Sequence, residues 1–195
     1  MALILGSASP RRVQLLRELG VAFSVCASDI PEVPQAGESA AAFASRAARE
    51  KGAAVARLRS GDWVLAADTV VVVDAAILGK PADAAAARAM LRRLSGRAHE
   101  VLTAVALVAP DGAIADAALV RSDVRFHHLT DAEIAVYVAS GEPADKAGAY
   151  AIQGGAAGFV ERVSGSLSNI IGLPQDEVAA MLVRHGLLAT AAASA

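Results

Sequence analysis

The chain has 195 residues, 18 basic against 20 acidic, a formal net charge of −2, 55% hydrophobic residues and a mean hydropathy of +0.45. That length suits one domain, or two lobes around a cleft, and the near-neutral charge excludes bulk electrostatic binding to nucleic acid or anionic membranes. A single cysteine, Cys26, excludes an internal disulfide and most structural zinc sites, and no run reaches the roughly 18 apolar residues of a membrane span.

The first apolar run, Leu3 to Leu5, has no basic region before it, so the expectation is a cytoplasmic protein without a signal peptide. That run reads as a strand. It passes directly into Gly6-Ser7-Ala8-Ser9-Pro10-Arg11-Arg12, and a helix follows from about Arg11 to Leu19, stopped by Gly20. Small residues, hydroxyls and two arginines at a strand-to-helix turn are the makings of an anion site. Free helix-start N–H groups and the dipole favour an oxyanion, and guanidinium groups add bidentate donors. The plain alternative is Ser9 as an N-cap, Pro10 at the first helical position and solvated arginines.

Phe23 to Cys26 reads as a second strand, with Cys26 a small core residue, and the proline-rich Ser28 to Pro34 as a loop. A long helix spans about Ser39 to Leu58, with Phe43, Ala47, Lys51, Ala54 and Leu58 on one face. A lysine on such a stripe either snorkels to water or points into a cleft. Trp63 to Val73 is the strongest strand, apolar on both faces as in a covered sheet. Asp68 sits in its middle. A buried carboxylate there must be paired, bound to metal, or exposed in a cleft by a break in the strand, unless backbone N–H groups satisfy it at a bulge.

Leu78-Gly79-Lys80-Pro81 leads to a helix capped by Asp83. Val101 to Val108 and Ala117 to Phe126 form a hairpin around Pro110-Asp111-Gly112. Thr130-Asp131-Ala132-Glu133 is a capping box that starts another helix. Gly141 to Gly155 has neither helix nor strand periodicity and carries Asp145, Lys146, Tyr150 and Gln153, as a ligand-binding loop does. Gly165 to Asn169 reads as a second polar loop, and a last helix runs from about Gln175 to His185. The low-complexity residues 189–195 form a fraying tail behind a single catalytic unit of 1–188. The order of elements predicts an α/β chain with a mixed, bent sheet, flanking helices and two lobes around a central cleft.

Four cations, Arg11, Arg12, Lys51 and Lys80, group with Asp68 in this reading, and a polyphosphate needs charges spread along it. Glu32 and Asp68 are the candidate ligands for a Mg²⁺ that keeps waters and takes phosphate oxygens as well. His127 and His128 lack a spaced partner, and His99 and His185 are isolated, so zinc is not expected. No G-x-x-x-x-G-K-[ST] loop and no G-x-S-x-G elbow occur.

Six motifs then stand in one order: Ser7-Ala8-Ser9-Pro10-Arg11-Arg12; Ala66-Ala67-Asp68-Thr69; Gly79-Lys80-Pro81; Leu94-Ser95-Gly96 with His99 and Thr103; Glu142 through Tyr150; and Gly172-Leu173-Pro174. In that order the chain resembles the Maf nucleotide pyrophosphatases over nearly its whole length, from Leu3 to about His185. The resemblance implies release of pyrophosphate and a nucleoside monophosphate from a triphosphate, a divalent cation (Mg²⁺ or Mn²⁺), and a fold similar to the inosine triphosphate pyrophosphatases. It places Asp68 as proton acceptor and Arg11, Thr69 and Gln153 at positions tied to substrate choice. Ser7, Arg12, Lys51, Lys80 and Lys146 fall at polar positions of the cleft. Asp-Lys-Ala-Gly-Ala-Tyr followed by Ile-Gln-Gly resembles the branch acting on dTTP and UTP. The 7-methyl-GTP branch has Ser-Phe at Ala149-Tyr150 and an acid near Gln153. Pro31 stands where the family carries an acid, and Leu167 where many members carry an aromatic residue. The resemblance also suggests a homodimer, and it leaves open a non-catalytic nucleotide-binding regulator of cell division.

Overall fold

The computed structural model describes residues 1–189. Seven strands form one mixed sheet: β1 (Leu3–Leu5), β2 (Ser24–Val25), β3 (Trp63–Val73), β4 (Ala76–Leu78), β5 (Ala98–Val108), β6 (Ile114–Phe126) and β7 (Val160–Ser164). The order is β2-β1-β3-β5-β6-β7, with β4 paired to β3. β1 pairs in parallel with β2 and β3; the remaining pairs are antiparallel. The helices are α1 (Pro10–Glu18), α2 (Ala40–Leu58), α3 (Ala84–Leu94), α4 (Asp131–Ala139), α5 (Leu167–Ile171) and α6 (Gln175–Arg184). Among the described residues, no helix is long and apolar enough to cross a membrane. Of the proposed tail, residues 190–195 lie outside the described residues.

Local signals place most elements. Ser39 and Asp83 cap α2 and α3 by accepting from Ala42 and Ala86 N–H, and Thr130 with Glu133 forms the full capping box of α4. Some expectations are corrected. β4 was not expected, because its hairpin with β3 turns on Asp74 and Ala75, both at positive φ (50° and 58°) and neither a glycine. The polar stretch before Gly172 is not a loop but α5, capped by Ser166 accepting from Asn169 N–H. The segment 141–155 winds into short 3-10 turns at Glu142–Asp145 and Ala147–Ala149, and a third runs from Gly155 to Phe159. Cys26 is half-buried and packs only at the margin of a small cluster around Ile4, Val55, Val64 and Val108.

The buried face of α2 also differs from expectation. Leu58 is exposed, and the stripe on the sheet is Phe43, Ala44, Ala47, Ala48, Lys51, Gly52 and Val55. Small residues let the helix lie close: a Cβ at Gly52 would meet Val108 Cγ2 at 2.7 Å. This closeness brings Lys51 within reach of β3.

β3 carries the cleft. On one face Leu65 and Ala67 join an apolar cluster with Leu16, Leu107, Met181 and Leu182; Val71 and Val73 join another with Leu91, Val101, Phe126 and Tyr150. Thr69 lies between the two clusters on that face. On the other face α2 packs against Val70 and Val72. Along one edge of β3, β1 covers Trp63 to Leu65 and β4 covers Val71 to Val73, leaving the middle of that edge unpaired. Asp68 and Thr69 sit in this gap. The strand itself does not break; its neighbours do, and so a carboxylate is tolerated in an apolar strand.

Candidate active site

A cavity of about 380 Å³ opens at the gap. Its lining brings together Ser7, Arg11, Arg12, Glu32, Lys51, Asp68, Thr69, Lys80 and Lys146, all of them singled out in the sequence. Five cationic side chains face it (Arg11, Arg12, Lys51, Lys80, Lys146) against three carboxylates (Glu32, Asp68, Asp145). The excess of positive charge suits a polyanion.

Lys51 and Asp68 form the floor. They are only 6% and 3% exposed, and Lys51 Nζ donates to Asp68 Oδ1 at 2.6 Å. The same ammonium pairs with Glu32 Oε1 at 2.8 Å, and Lys80 Nζ stands 3.9 Å from Glu32 Oε2. Burial would raise the Glu32 pKa. The Lys51 hydrogen bond and the charges of Lys51, Lys80 and Arg12 outweigh it and hold the carboxyl below its ordinary value.

Arg12 is fixed from three sides. Its Nε donates to the Gly172 carbonyl at 2.8 Å, Nη1 to Ser7 Oγ at 3.3 Å and Nη2 to Thr69 Oγ1 at 3.0 Å. Thr103 donates its one hydroxyl proton to the Asn169 carbonyl, so Thr69 is the donor in the 2.9 Å bond between the two threonines. The relay Arg12, Thr69, Thr103, Asn169 is therefore directional, and the Thr69 hydroxyl accepts from Arg12 while donating to Thr103. Burial pushes the guanidinium pKa below its ordinary value, against the pull of Asp68 and Glu32.

Ser9 occupies the cap position of α1, yet its hydroxyl makes no capping bond, and Pro10 is at the first turn. The amides at the start of α1 are thus uncapped by side chains beside Arg11, as an anion-binding turn requires. Gln153 is different. It is exposed and does not line the cavity; Ala151 and Ile152, just before it, do.

For a divalent cation, Glu32 and Asp68 offer two carboxylates converging on one point, now bridged by Lys51. Among the described residues no group of three or more His, Cys, Asp or Glu gathers as a metal cage. Two carboxylates fit a hard cation that completes its shell with water and phosphate oxygens.

Sequence reasoning missed Asn169, which is fully buried and donates to the Val101 carbonyl (3.1 Å) and Ser122 Oγ (2.9 Å). Its signal was a lone amide ahead of Ile170-Ile171, legible only once α5 is known. Sequence reasoning also missed the pairing of His99 with Tyr150: His99 Nε2 and the Tyr150 hydroxyl lie 2.9 Å apart, which turns the hydroxyl of this cavity residue into the core.

The chain matches the model of the family described as Maf-like protein over residues 2–185. It belongs to the Maf-like family. It is 53% identical to a dTTP/UTP pyrophosphatase of Myxococcus xanthus over 95% of this chain and 93% of that one. A dTTP/UTP pyrophosphatase of Geobacter sulfurreducens is 53% identical over 95% and 97%, and one of Hahella chejuensis is 51% identical over 95% and 92%. Membership in the Maf-like family accords with the six ordered motifs, five of which contribute residues to the cavity.

Proposed function

We propose that this protein is a nucleoside triphosphate pyrophosphatase that hydrolyses dTTP and UTP to the monophosphate and pyrophosphate, with residues 1–188 as its catalytic unit. The observation that carries this reading is the Lys51–Asp68 pair at the floor of a cationic cavity. It stands in a chain about half identical to relatives bearing that activity in their names.

In this mechanism Arg11, Arg12, Lys80 and Lys146 hold the triphosphate, assisted by Ser7 and the start of α1. Thr69 keeps the Arg12 fork aimed. Water attacks the α-phosphorus in line with the α–β bridging oxygen. Asp68 accepts the proton of that water, and the bridging oxygen leaves with pyrophosphate. Mg²⁺ or Mn²⁺, held by Glu32 and Asp68, would supply positive charge to the phosphate oxygens. Lys51 keeps the two carboxylates together. Gln153, next in the chain to the cavity residue Ile152, reads the pyrimidine. A cytoplasmic setting and a homodimeric assembly belong to the same reading and rest on the family likeness.

The test is a panel of dTTP, UTP, CTP, GTP, 7-methyl-GTP and ITP with Mg²⁺ or Mn²⁺, products separated by chromatography. Monophosphate and pyrophosphate from dTTP and UTP are expected. A purine-selective profile overturns the role given to Gln153 but keeps the reaction. Nucleotide binding without turnover would favour the non-catalytic regulator.

A further inference from the structure

We infer that Tyr137 and Glu142 form a clasp that seats the Ala151–Gly155 segment, and that this clasp sets nucleobase selectivity without touching the nucleotide. The inference rests on the reading of the cavity as a nucleoside triphosphate site. The Tyr137 hydroxyl donates to Glu142 Oε1 at 2.7 Å and accepts from Ala151 N–H at 3.0 Å. Glu142 Oε2 accepts from Gly155 N–H at 3.0 Å. The phenol gives its one proton to the Glu142 carboxyl and receives the Ala151 N–H on its oxygen, so both of its hydrogen-bonding roles are used. Both ends of a five-residue segment are therefore tied to one pair of side chains. Among the described residues Glu142 makes no ion pair; its carboxylate oxygens go to Tyr137 and the Gly155 N–H.

Contact reinforces the bonds. A Cβ at Gly154 would fall 2.3 Å from Glu142 Oε1, and one at Gly155 would fall 3.1 Å from Tyr137 Cδ2. The segment lies flush on the clasp: a side chain at Gly154 would push the Glu142 carboxylate from its bonds, and one at Gly155 would crowd the Tyr137 ring. Tyr137 is itself held in the core, its ring edge-on to Phe159 with centroids 5.1 Å apart. Burial and the neighbouring Glu142 raise the Tyr137 pKa above the usual phenol value, so the proton this arrangement needs stays in place. Between the tied ends lie Ile152, which lines the cavity and packs on both apolar clusters, and Gln153. Tyr137 and Glu142 are thus positioning residues, acting through the backbone that carries Ile152 and Gln153.

The experiment compares the full chain with Tyr137→Phe and Glu142→Gln. Tyr137→Phe keeps the ring and deletes only the hydroxyl. Amide hydrogen exchange is followed at Ala151 and Gly155, together with kcat and KM for dTTP and GTP. Exchange at Ala151 and Gly155 is expected to quicken about tenfold, with other amides unchanged. KM for dTTP is expected to rise about three- to tenfold, the worth of one hydrogen bond, with kcat within about twofold and the preference over GTP narrowed. Unchanged exchange overturns the clasp. Faster exchange with KM and preference unmoved overturns its role in selectivity. A wild type that turns over no triphosphate instead sinks the pyrophosphatase reading and the selectivity claim with it, while exchange still decides whether the clasp orders the segment.

Discussion

Replacing Lys51 with methionine isolates what the buried ammonium contributes. Methionine keeps the unbranched stem and its packing against the sheet, so the change is chiefly one of charge. Asp68, 3% exposed, loses its partner at 2.6 Å, whereas Glu32 sits in an exposed loop and is rehydrated at small cost. Removing one member of a buried pair costs about 3–5 kcal/mol. The cavity lets water reach Asp68 from one side, so the low end, about 3 kcal/mol, is expected. At roughly 2–4 °C per kcal/mol for a domain of this size, the melting temperature should fall by about 6–12 °C. The assay is equilibrium unfolding at pH 7.5 of wild type, Lys51→Met, Asp68→Asn and the double variant. Removing both charges should cost less than the sum of the single changes by at least about 1 kcal/mol. A Lys51→Met protein within about 0.5 kcal/mol of wild type, or an additive cycle, would refute the pairing argument.

Three further outcomes follow from the same geometry. Asp68→Asn should lower kcat by about 10²–10⁴-fold while dTTP binding, measured by calorimetry, is retained; activity within a few-fold of wild type would remove Asp68 from its role. Burial lowers the His99 pKa from 6.5 to about 4, so the folded state prefers the neutral ring. The unfolded chain then binds the extra proton between those values. Stability should be intact above pH 6.5; the His99 share of the acid loss, about 3 kcal/mol by pH 4, should vanish for His99→Gln in urea titrations at several pH values, while the loss from carboxylates held below their ordinary values, such as Glu32, Asp74 and Asp116, remains. Gly52→Ala gains about 1 kcal/mol of helix propensity, yet its Cβ would meet Val108 at 2.7 Å, so thermal unfolding should show a net loss rather than a gain.

What the sequence revealed was what local chemistry encodes. The run Trp63 to Val73, the caps at Ser39, Asp83 and Thr130, and the turn in which Ala109 donates to the Ala113 carbonyl all announce themselves within a few residues. The cationic grouping around Asp68 was legible because charged residues interrupt apolar patterns. What stayed hidden is non-local. The unpaired middle of the β3 edge depends on where β1 and β4 stop. The buried face of α2 was misjudged because alanine and glycine, rather than large residues, make its closest approach to the sheet. β7 is an edge strand whose residues are half-buried or exposed, which leaves no apolar stripe to read. The clasp joins residues whose spacing follows neither a helix nor a strand period.

The central claim is attack of water on the α-phosphorus within this cavity. Hydrolysis of dTTP in ¹⁸O-enriched water, with the products weighed by mass spectrometry, tests it most directly. The account predicts one ¹⁸O in the thymidine monophosphate and none in pyrophosphate. Label in pyrophosphate would place the attack on the β-phosphorus, and labelled orthophosphate with a nucleoside diphosphate would place it on the γ-phosphorus; either would contradict the mechanism.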